Sequence, residues 1–281
     1  MIDVYVVILN WNGAEDTIEC LDSLLSQKGV NLGYIVIDNC SWDDSIQKIQ
    51  ARFPNITIIK TERNLGYPGG MNVGIRLALE KGAKKIFIVN NDTIAQPGMM
   101  SSLLAQLKGD IAVVAPAIFY ADQPEQLWSL GGKINPVLLE LIKPHSKDNR
   151  LPKVPEERDF FTGCAMLLRS DIFEKIGFFD ENFFPGYYED LDFCLRIKRQ
   201  QYKMLLVPQA HLLHKISRAS GGKHSTRVYY LMARNSGYYF RKHMRLWQAP
   251  FILTFRLISA IKTSLLLIFT KRKMSLLSYW S

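Results

Sequence analysis

No Asp or Glu follows Asp192. All 26 carboxylates lie in residues 1–192, whereas residues 193–281 carry 17 of the 35 Lys and Arg. The formal charge of +9 is therefore split, −8 before residue 193 and +17 after it. Such asymmetry implies an acidic body with placed carboxylates and a basic tail that meets something anionic, either nucleic acid or a phospholipid surface. Cysteine is scarce: Cys20, Cys40, Cys164 and Cys194 form no C-x-x-C pair. That excludes a disulfide scaffold and suits reduced thiols in a cytoplasmic protein. The start, Met1-Ile2-Asp3-Val4, lacks a basic n-region, so no signal peptide is expected there. A G-x-G-x-x-G after the first apolar run and a G-K-S/T loop are both missing. A dinucleotide fold and a P-loop ATPase are thereby disfavoured.

Hydrophobic residues make up 48% and charged residues 22%, which excludes disordered and collagen-like classes. A chain of 281 residues is long enough for one large α/β domain or two small ones, with a sizeable core. Residues 4–9, 34–37, 56–59, 85–89 and 111–115 are short apolar runs of the kind that form buried strands. Between the first two, Ile18, Leu21, Leu24 and Leu25 recur at helical spacing. Residues 43–52 predict a second helix, a glycine-rich stretch over 64–74 leads into a third that ends near 82, and Pro97-Gly98 opens a fourth. Strands separated by helices imply right-handed crossovers and a mainly parallel sheet.

The pattern changes after about residue 120. Residues 127–154 read as loops with short strands, 160–169 as a strand, 189–201 as a helix, 204–207 as a strand and 229–243 as a helix. In an open α/β sheet, ligands bind beyond the carboxyl ends of the strands. Here the successive strands lead into Asn10-Trp11-Asn12-Gly13, Asp38-Asn39, Arg63-Asn64-Leu65-Gly66 and Asn90-Asn91-Asp92. Any one of these is explained by a turn. Four in succession favour a ligand site.

The same four blocks, V-V-I-L-N-W-N-G, V-I-D-N, R-N-L-G-Y-P-G-G-M-N and V-N-N-D, continue into Gly177-Phe178-Phe179-Asp180-Glu181-Asn182-Phe183-Phe184 and Tyr188-Glu189-Asp190-Leu191-Asp192-Phe193-Cys194-Leu195-Arg196. With His214 after a strand, they resemble family 2 glycosyltransferases of the GT-A fold, in particular the rhamnosyltransferase-like subgroup of bacterial surface polysaccharide synthesis. The resemblance covers residues 4 to about 240. It implies a Rossmann-like mixed sheet flanked by helices over residues 1–240, with residues 241–281 as a basic, apolar-rich helical extension. It also implies that Asp38 reads the nucleotide base, a carboxylate being suited to an imide N–H, with Arg63 and Asn64 as the next nucleotide contacts. Asn10, Asn12, Gly66, Gly70, Asn72 and Asn91 then line the sugar-diphosphate site, where glycines admit close backbone approach and a helix N-terminus favours an anion. Capping of local turns explains Asp38 and the 64–72 stretch equally well.

By the same resemblance Asp92 is the metal ligand, although Asn90-Asn91-Asp92 keeps only one carboxylate of the family's D-x-D. A hard cation, Mg²⁺ or Mn²⁺, takes one or two carboxylates plus phosphate oxygens and water. His214 is the second ligand by family position, with His211 as the alternative. Asp190 is the expected catalytic base, with Glu189 beside it. A sugar hydroxyl needs a positioned carboxylate to take its proton, and such help is worth roughly 10²–10⁴-fold. Acids at a helix start are also explained by the helix dipole. The aromatic approach Phe183-Phe184-Pro185-Gly186-Tyr187-Tyr188 argues for a drier site with a raised pKa.

The expected activity is inverting transfer of rhamnose or another hexose from a nucleotide-diphosphate donor to a hydroxyl of a glycan or lipid-linked acceptor. A nucleotidyltransferase and a non-catalytic, membrane-associated sugar-nucleotide binder are the alternatives. Residues 246–270 are apolar but interrupted by Arg256 and Lys262, with Arg241-Lys242 before and Lys271-Arg272-Lys273 after. Basic clusters at both ends argue against a span and for a helix lying on anionic lipid, at the inner face of the cell membrane rather than on nucleic acid. Burial in a homo-oligomer is the other reading of this stretch.

Overall fold

In the computed structural model, which describes residues 2–142, 150–216 and 226–269, the apolar runs become the inner strands. The first half of the chain comprises β1 (Val4–Asn10), α1 (Ala14–Leu25), β2 (Leu32–Asp38), α2 (Ser45–Arg52), β3 (Thr57–Lys60), α3 (Gly66–Glu80), β4 (Lys85–Asn90), β5 (Thr93–Ala95), α4 (Met99–Gln106) and β6 (Ile111–Tyr120). The second half comprises β7 (Leu127–Ser129), β8 (Lys133–Ile134), β9 (Leu141–Ile142), β10 (Glu156–Arg158), β11 (Ala165–Arg169), α5 (Ile172–Ile176), α6 (Glu189–Arg199), β12 (Lys203–His214), α7 (Thr226–His243) and α8 (Ala249–Phe269).

The main sheet has the order β10-β12-β6-β11-β4-β1-β2-β3, with β5 paired to β12 and β7 to β6. The strands β3, β2, β1 and β4 are parallel neighbours. Strand β11 runs antiparallel between β4 and β6, so the sheet is mixed but mostly parallel, as expected. Both faces are covered. Val6 and Ile8 of β1 pack with Leu21, Leu24, Ile49 and Met99 from α1, α2 and α4. Val7, between them, faces α3 and belongs to the core of the opposite face, which also holds Ile75, Phe193 and Tyr239 from α3, α6 and α7. Burial on both faces is why these strands read as continuous apolar runs, and each such side chain contributes about 1.5–3 kcal/mol on leaving water.

Several elements depart from the sequence expectation. Helix α3 starts at Gly66, inside the stretch expected to be a loop. Pro68 falls in its first turn, where no N–H is needed. A Cβ at Gly70 would lie 2.4 Å from the Leu9 side chain, so this glycine lets α3 lie close on β1 rather than admitting a ligand. Strand β11 begins at Ala165, not at residue 160. Strand β12 runs on to His214, past Pro208; pairing with β6 jumps between Val207 and His211 because proline has no N–H for the ladder.

Helix α7 crosses residue 240, and His243, Gln248 and Ile252 beyond it are buried. The expected domain boundary at 240 therefore cuts a packed helix. The exposed apolar surface starts later, along α8. The cluster Lys271-Arg272-Lys273 lies outside the described residues. Among the described residues, no helix is long and apolar enough to cross a membrane, and all four cysteines are free thiols.

Candidate active site

The parallel register places Asn10 opposite Asp38 and Leu9 opposite Asn90, so the polar ends of β1, β2 and β4 share one edge of the sheet. Asn10 and Asp38 are both fully buried. Asn10 Nδ2 donates to Asp38 Oδ2 at 2.8 Å, and the Ser41 N–H donates to Asp38 Oδ1 at 2.9 Å. Asn10 Oδ1 accepts from Thr17 Oγ1 at 2.9 Å. The Asp38 carboxylate thus faces the protein on both oxygens, and Asn10 is taken up in holding it. Both side chains are thus taken up in shaping the loop between β2 and α2.

Asn39, missed by the sequence reading, bridges the loops instead. Its Nδ2 donates to Asn64 Oδ1 at 3.2 Å and Gly66 O at 3.0 Å, and its Oδ1 accepts the Leu65 N–H at 2.8 Å. Asn12, with a left-handed φ of 52°, receives the Trp42 N–H on Oδ1 at 3.0 Å and donates its own N–H to Ser41 Oγ at 2.9 Å. Arg63 is exposed at the rim. Gly66, at φ +68°, abuts Pro185, whose carbonyl accepts the Tyr67 N–H at 2.7 Å. Asn72 is buried and spends its amide on both backbone groups of Phe179 and on Glu181 Oε1. It therefore ties α3 to the segment before α6 and does not line the donor site.

Beyond β4, Asn91 Nδ2 donates to Thr17 Oγ1 at 3.1 Å, closing the turn onto the start of α1. Asp92 and His214, 122 positions apart, meet: Oδ1 lies 3.1 Å from Nε2, and both residues are buried. The two atoms form a hydrogen bond, and its length is also the spacing of about 3 Å between adjacent ligands of an octahedral ion with bonds of about 2.1 Å. Nδ1 of His214 is buried without a hydrogen-bond partner, and Trp128 packs edge-on against the ring at 4.4 Å. His211 points elsewhere, bonding Pro208 O and packing on Phe119. Among the described residues no group of three or more His, Cys, Asp and Glu could hold a metal.

The carboxylates at the start of α6 reach the same edge. Asn90 N–H donates to Cys164 O at 2.9 Å, and the next residue back, Gly163, donates its N–H to Asp190 Oδ2 at 3.3 Å. The Tyr67 hydroxyl, from the first turn of α3, donates to Gly163 O. Thus β4, α3 and α6 converge on the Gly163-Cys164 turn before β11. Burial raises the Asp190 carboxyl, offset by N–H bonds from Gly163 and Leu191. Burial and the adjacent charge of Asp190 push Glu189 well above the ordinary range, and its Oε2 is buried without a partner. The raised pKa expected from the aromatic approach is therefore present at both acids, and Asp190, with its N–H donors, is the one better held as the anion.

The glycosyl transferase family 2 model matches residues 5–177, which contain the ends of β1, β2 and β4 and the turn at Gly163. This chain belongs to glycosyl transferase family 2. It is 24% identical over 280 residues, 96% of its length and 90% of the other's, to the dTDP-rhamnosyl transferase RfbF of Shigella flexneri. It is 25% identical over 273 residues to an N-acetylglucosaminyl-diphospho-decaprenol L-rhamnosyltransferase of Mycobacterium tuberculosis, covering 87% of this chain and 85% of that one. In fold it is similar to the mannosyltransferase PcManGT of Pyrobaculum calidifontis, solved with GDP-Man and Mn²⁺, at TM-score 0.61, 13% identity, and coverage of 99% of this chain and 72% of that one. It is also similar to GalNAc-T7, solved with UDP, GalNAc and Mn²⁺, at TM-score 0.64 and 17% identity, covering 83% of this chain and 47% of that one. The fold is GT-A, and the nucleotidyltransferase alternative gives way.

A rhamnosyltransferase-like member of family 2 places further residues around its acids that local sequence did not flag. Asp192, fully buried, takes His243 Nε2 at 2.7 Å, Lys242 Nζ at 2.6 Å and Arg196 Nε at 2.9 Å. Asn235 of α7 donates to the loop before Glu189. The signal for Asn235 was an amide on an otherwise apolar helical stripe, Leu231-Asn235-Tyr239 at i, i+4 spacing.

Proposed function

We propose that the chain is an inverting glycosyltransferase that moves rhamnose or another hexose from a nucleotide-diphosphate donor to a hydroxyl of a glycan or lipid-linked acceptor in bacterial cell-surface polysaccharide synthesis. The observation that carries this reading is the convergence of the Asp92–His214 pair and the Asp190 carboxylate on one sheet edge, joined through Asn90, Cys164 and Gly163. The rhamnosyltransferase names of the Shigella and mycobacterial relatives support the sugar, and the second is named for a lipid-linked saccharide.

Asp190 takes the proton of the acceptor hydroxyl. That oxygen bonds the anomeric carbon from one face while the bond to the diphosphate breaks on the other, and the electron pair leaves with the nucleoside diphosphate. Asn12, Arg63 and Asn64 hold the nucleotide at the rim, with Asn10 and Asp38 fixing the loops beneath. Asp92 and His214 would hold a Mg²⁺ or Mn²⁺, whose charge offsets the negative charge gathering on the leaving phosphates. A panel of nucleotide sugars, read by release of nucleoside diphosphate, tests the reading. The Asp190→Asn variant is expected to lose roughly 10²–10⁴-fold in kcat, and unaltered turnover would remove the base.

Membrane docking belongs to the same reading. Leu246, Trp247, Phe251, Leu257, Ile258, Ile261 and Leu265 are exposed on and before α8, beside Arg245 and Lys262 and with no acid anywhere after Asp192. Apolar residues among cations suit an anionic bilayer surface. The enzyme would sit at the inner face of the cell membrane next to its acceptor. Vesicles with and without anionic lipid separate this from pairing of two copies: binding only to anionic vesicles is expected, and a dimer that ignores both kinds would end it.

A further inference from the structure

We infer that Asn235 is a positioning residue for Asp190, acting through the backbone of the loop that delivers it. This rests on the reading of Asp190 as the base. Tyr187 and Tyr188 immediately precede Glu189-Asp190 and both hold left-handed backbones, φ 75° and 72°. Left-handed geometry is unfavourable for a non-glycine residue, and it persists only where the surroundings over-determine it.

The determinant is on α7. Asn235, 1% exposed, aims Nδ2 at three carbonyls of this loop: Phe183 at 3.2 Å, Gly186 at 2.8 Å and Tyr187 at 2.9 Å. Only the NH₂ of the amide can face carbonyls, which settles its orientation, and Oδ1 receives Nε of Arg234 at 2.8 Å. Arg234 Nη2 donates to Phe184 O. From the opposite side the Tyr67 N–H donates to Pro185 O. The loop is thus held between α7 and α3, and the carbonyl of Tyr188 then starts α6 by accepting the Asp192 N–H at 2.9 Å. Glu189 and Asp190 sit between these two anchor points. A carboxylate of the same shape as Asn235 would face three carbonyl oxygens instead of donating to them.

The test compares wild type with Asn235→Ala, Asn235→Asp and the neighbouring control Ser236→Ala, whose hydroxyl bonds Ala233 O and Arg256, not the loop. For Asn235→Ala, kcat is expected to fall about 100-fold, the loss that a small misplacement of a catalytic group produces. The donor KM stays within about threefold because the Asp92–His214 pair is untouched. The acid limb of the kcat–pH profile shifts, and Asn235→Asp is worse still. In an Asp190→Asn background, adding Asn235→Ala costs less than about twofold more, because both changes disable one device. Wild-type kcat and pH profile in Asn235→Ala, or a full multiplicative loss on top of Asp190→Asn, would overturn the inference. If Asn235→Ala does not fold by circular dichroism, Asn235→Ser, which keeps one donor, replaces it in the same comparison. Amide exchange gives a readout independent of turnover: residues 183–192 should exchange faster in the Asn235 variant and unchanged in Ser236→Ala. Unchanged exchange in the Asn235 variant removes the clamp, whereas a wild type inert to every donor removes the proposed activity alone.

Discussion

Nε2 of His243 lies 2.7 Å from Oδ1 of Asp192, and this fully buried contact joins the last turn of α7 to the helix that presents Asp190. Asp192 also holds Arg196 and Lys242. Burial alone would raise its carboxyl; His243, Arg196 and Lys242 together overcome that and hold it below the ordinary range. The acidic body and the basic C-terminal segment are therefore one electrostatic unit at this point, although their charges divide cleanly along the sequence.

Asp192→Asn should lower stability by about 1–3 kcal/mol, because it removes the charge that faces half-buried Arg196 and Lys242 and weakens the buried contact to His243. The urea midpoint at pH 7 checks this. The sign with pH follows from the lowered carboxyl: its contribution is complete above 3.8 and is lost as pH falls through the depressed value. The gap between wild type and variant should therefore narrow in acid, and a gap that widens there would contradict the assignment.

Glu189 gives the opposite slope. Its carboxyl is raised, so ionisation is resisted in the fold and free in the unfolded chain, and wild type loses relative stability as pH climbs above 4.5. Glu189→Gln removes that proton linkage. Its Tm should gain on wild type between pH 4.5 and pH 8, at roughly 2–4 °C per kcal/mol. A constant difference in Tm across that interval would show Glu189 to be ionised at no cost.

The proposed metal pair separates two histidines three positions apart. His214→Ala should raise the Mn²⁺ concentration for half-maximal turnover about tenfold or more, which corresponds to about 1.4 kcal/mol. His211→Ala should leave it unchanged, since that ring bonds Pro208 O. Titration of turnover with Mn²⁺ after chelation decides, and equal effects of the two variants would dissolve the proposed ligand pair.

Two helical glycines should respond with opposite signs. Gly70→Ala drives a Cβ to 2.4 Å from Leu9, an overpacking cost of about 1–3 kcal/mol that outweighs the ~1 kcal/mol of helix propensity gained. Gly237 in α7 has nothing within 4 Å of its Cβ position, so Gly237→Ala should stabilise by about 0.5–1 kcal/mol. Urea midpoints of both variants check the pair.

Much of the fold was legible because its signals are local. Residues 4–9 and 85–89 fall in strands β1 and β4, each buried on both faces, and runs of apolar residues announce that. The third helix was legible only in part. Gly69 and Gly70 read as a flexible loop, yet they lie within α3 against Leu65 and Leu9, and local composition does not distinguish a glycine needed for freedom from one needed for closeness. Strand β12 was cut short at Pro208, where a missing N–H looks like an end but is a skipped rung of the ladder.

The sequence by itself determined where polar groups gather: at the carboxyl ends of β1, β2 and β4 and at the start of α6, since turns and helix starts accept Asn, Asp and Glu that buried strands refuse. Tertiary structure alone decided what those groups face. Asp38 is turned inward by Asn10, 28 positions away, and Asp92 meets His214 across 122 positions. The reason is directional: a hydrogen bond needs a partner within about 3 Å and in line, and that partner arrives from a distant segment whose approach no local pattern encodes.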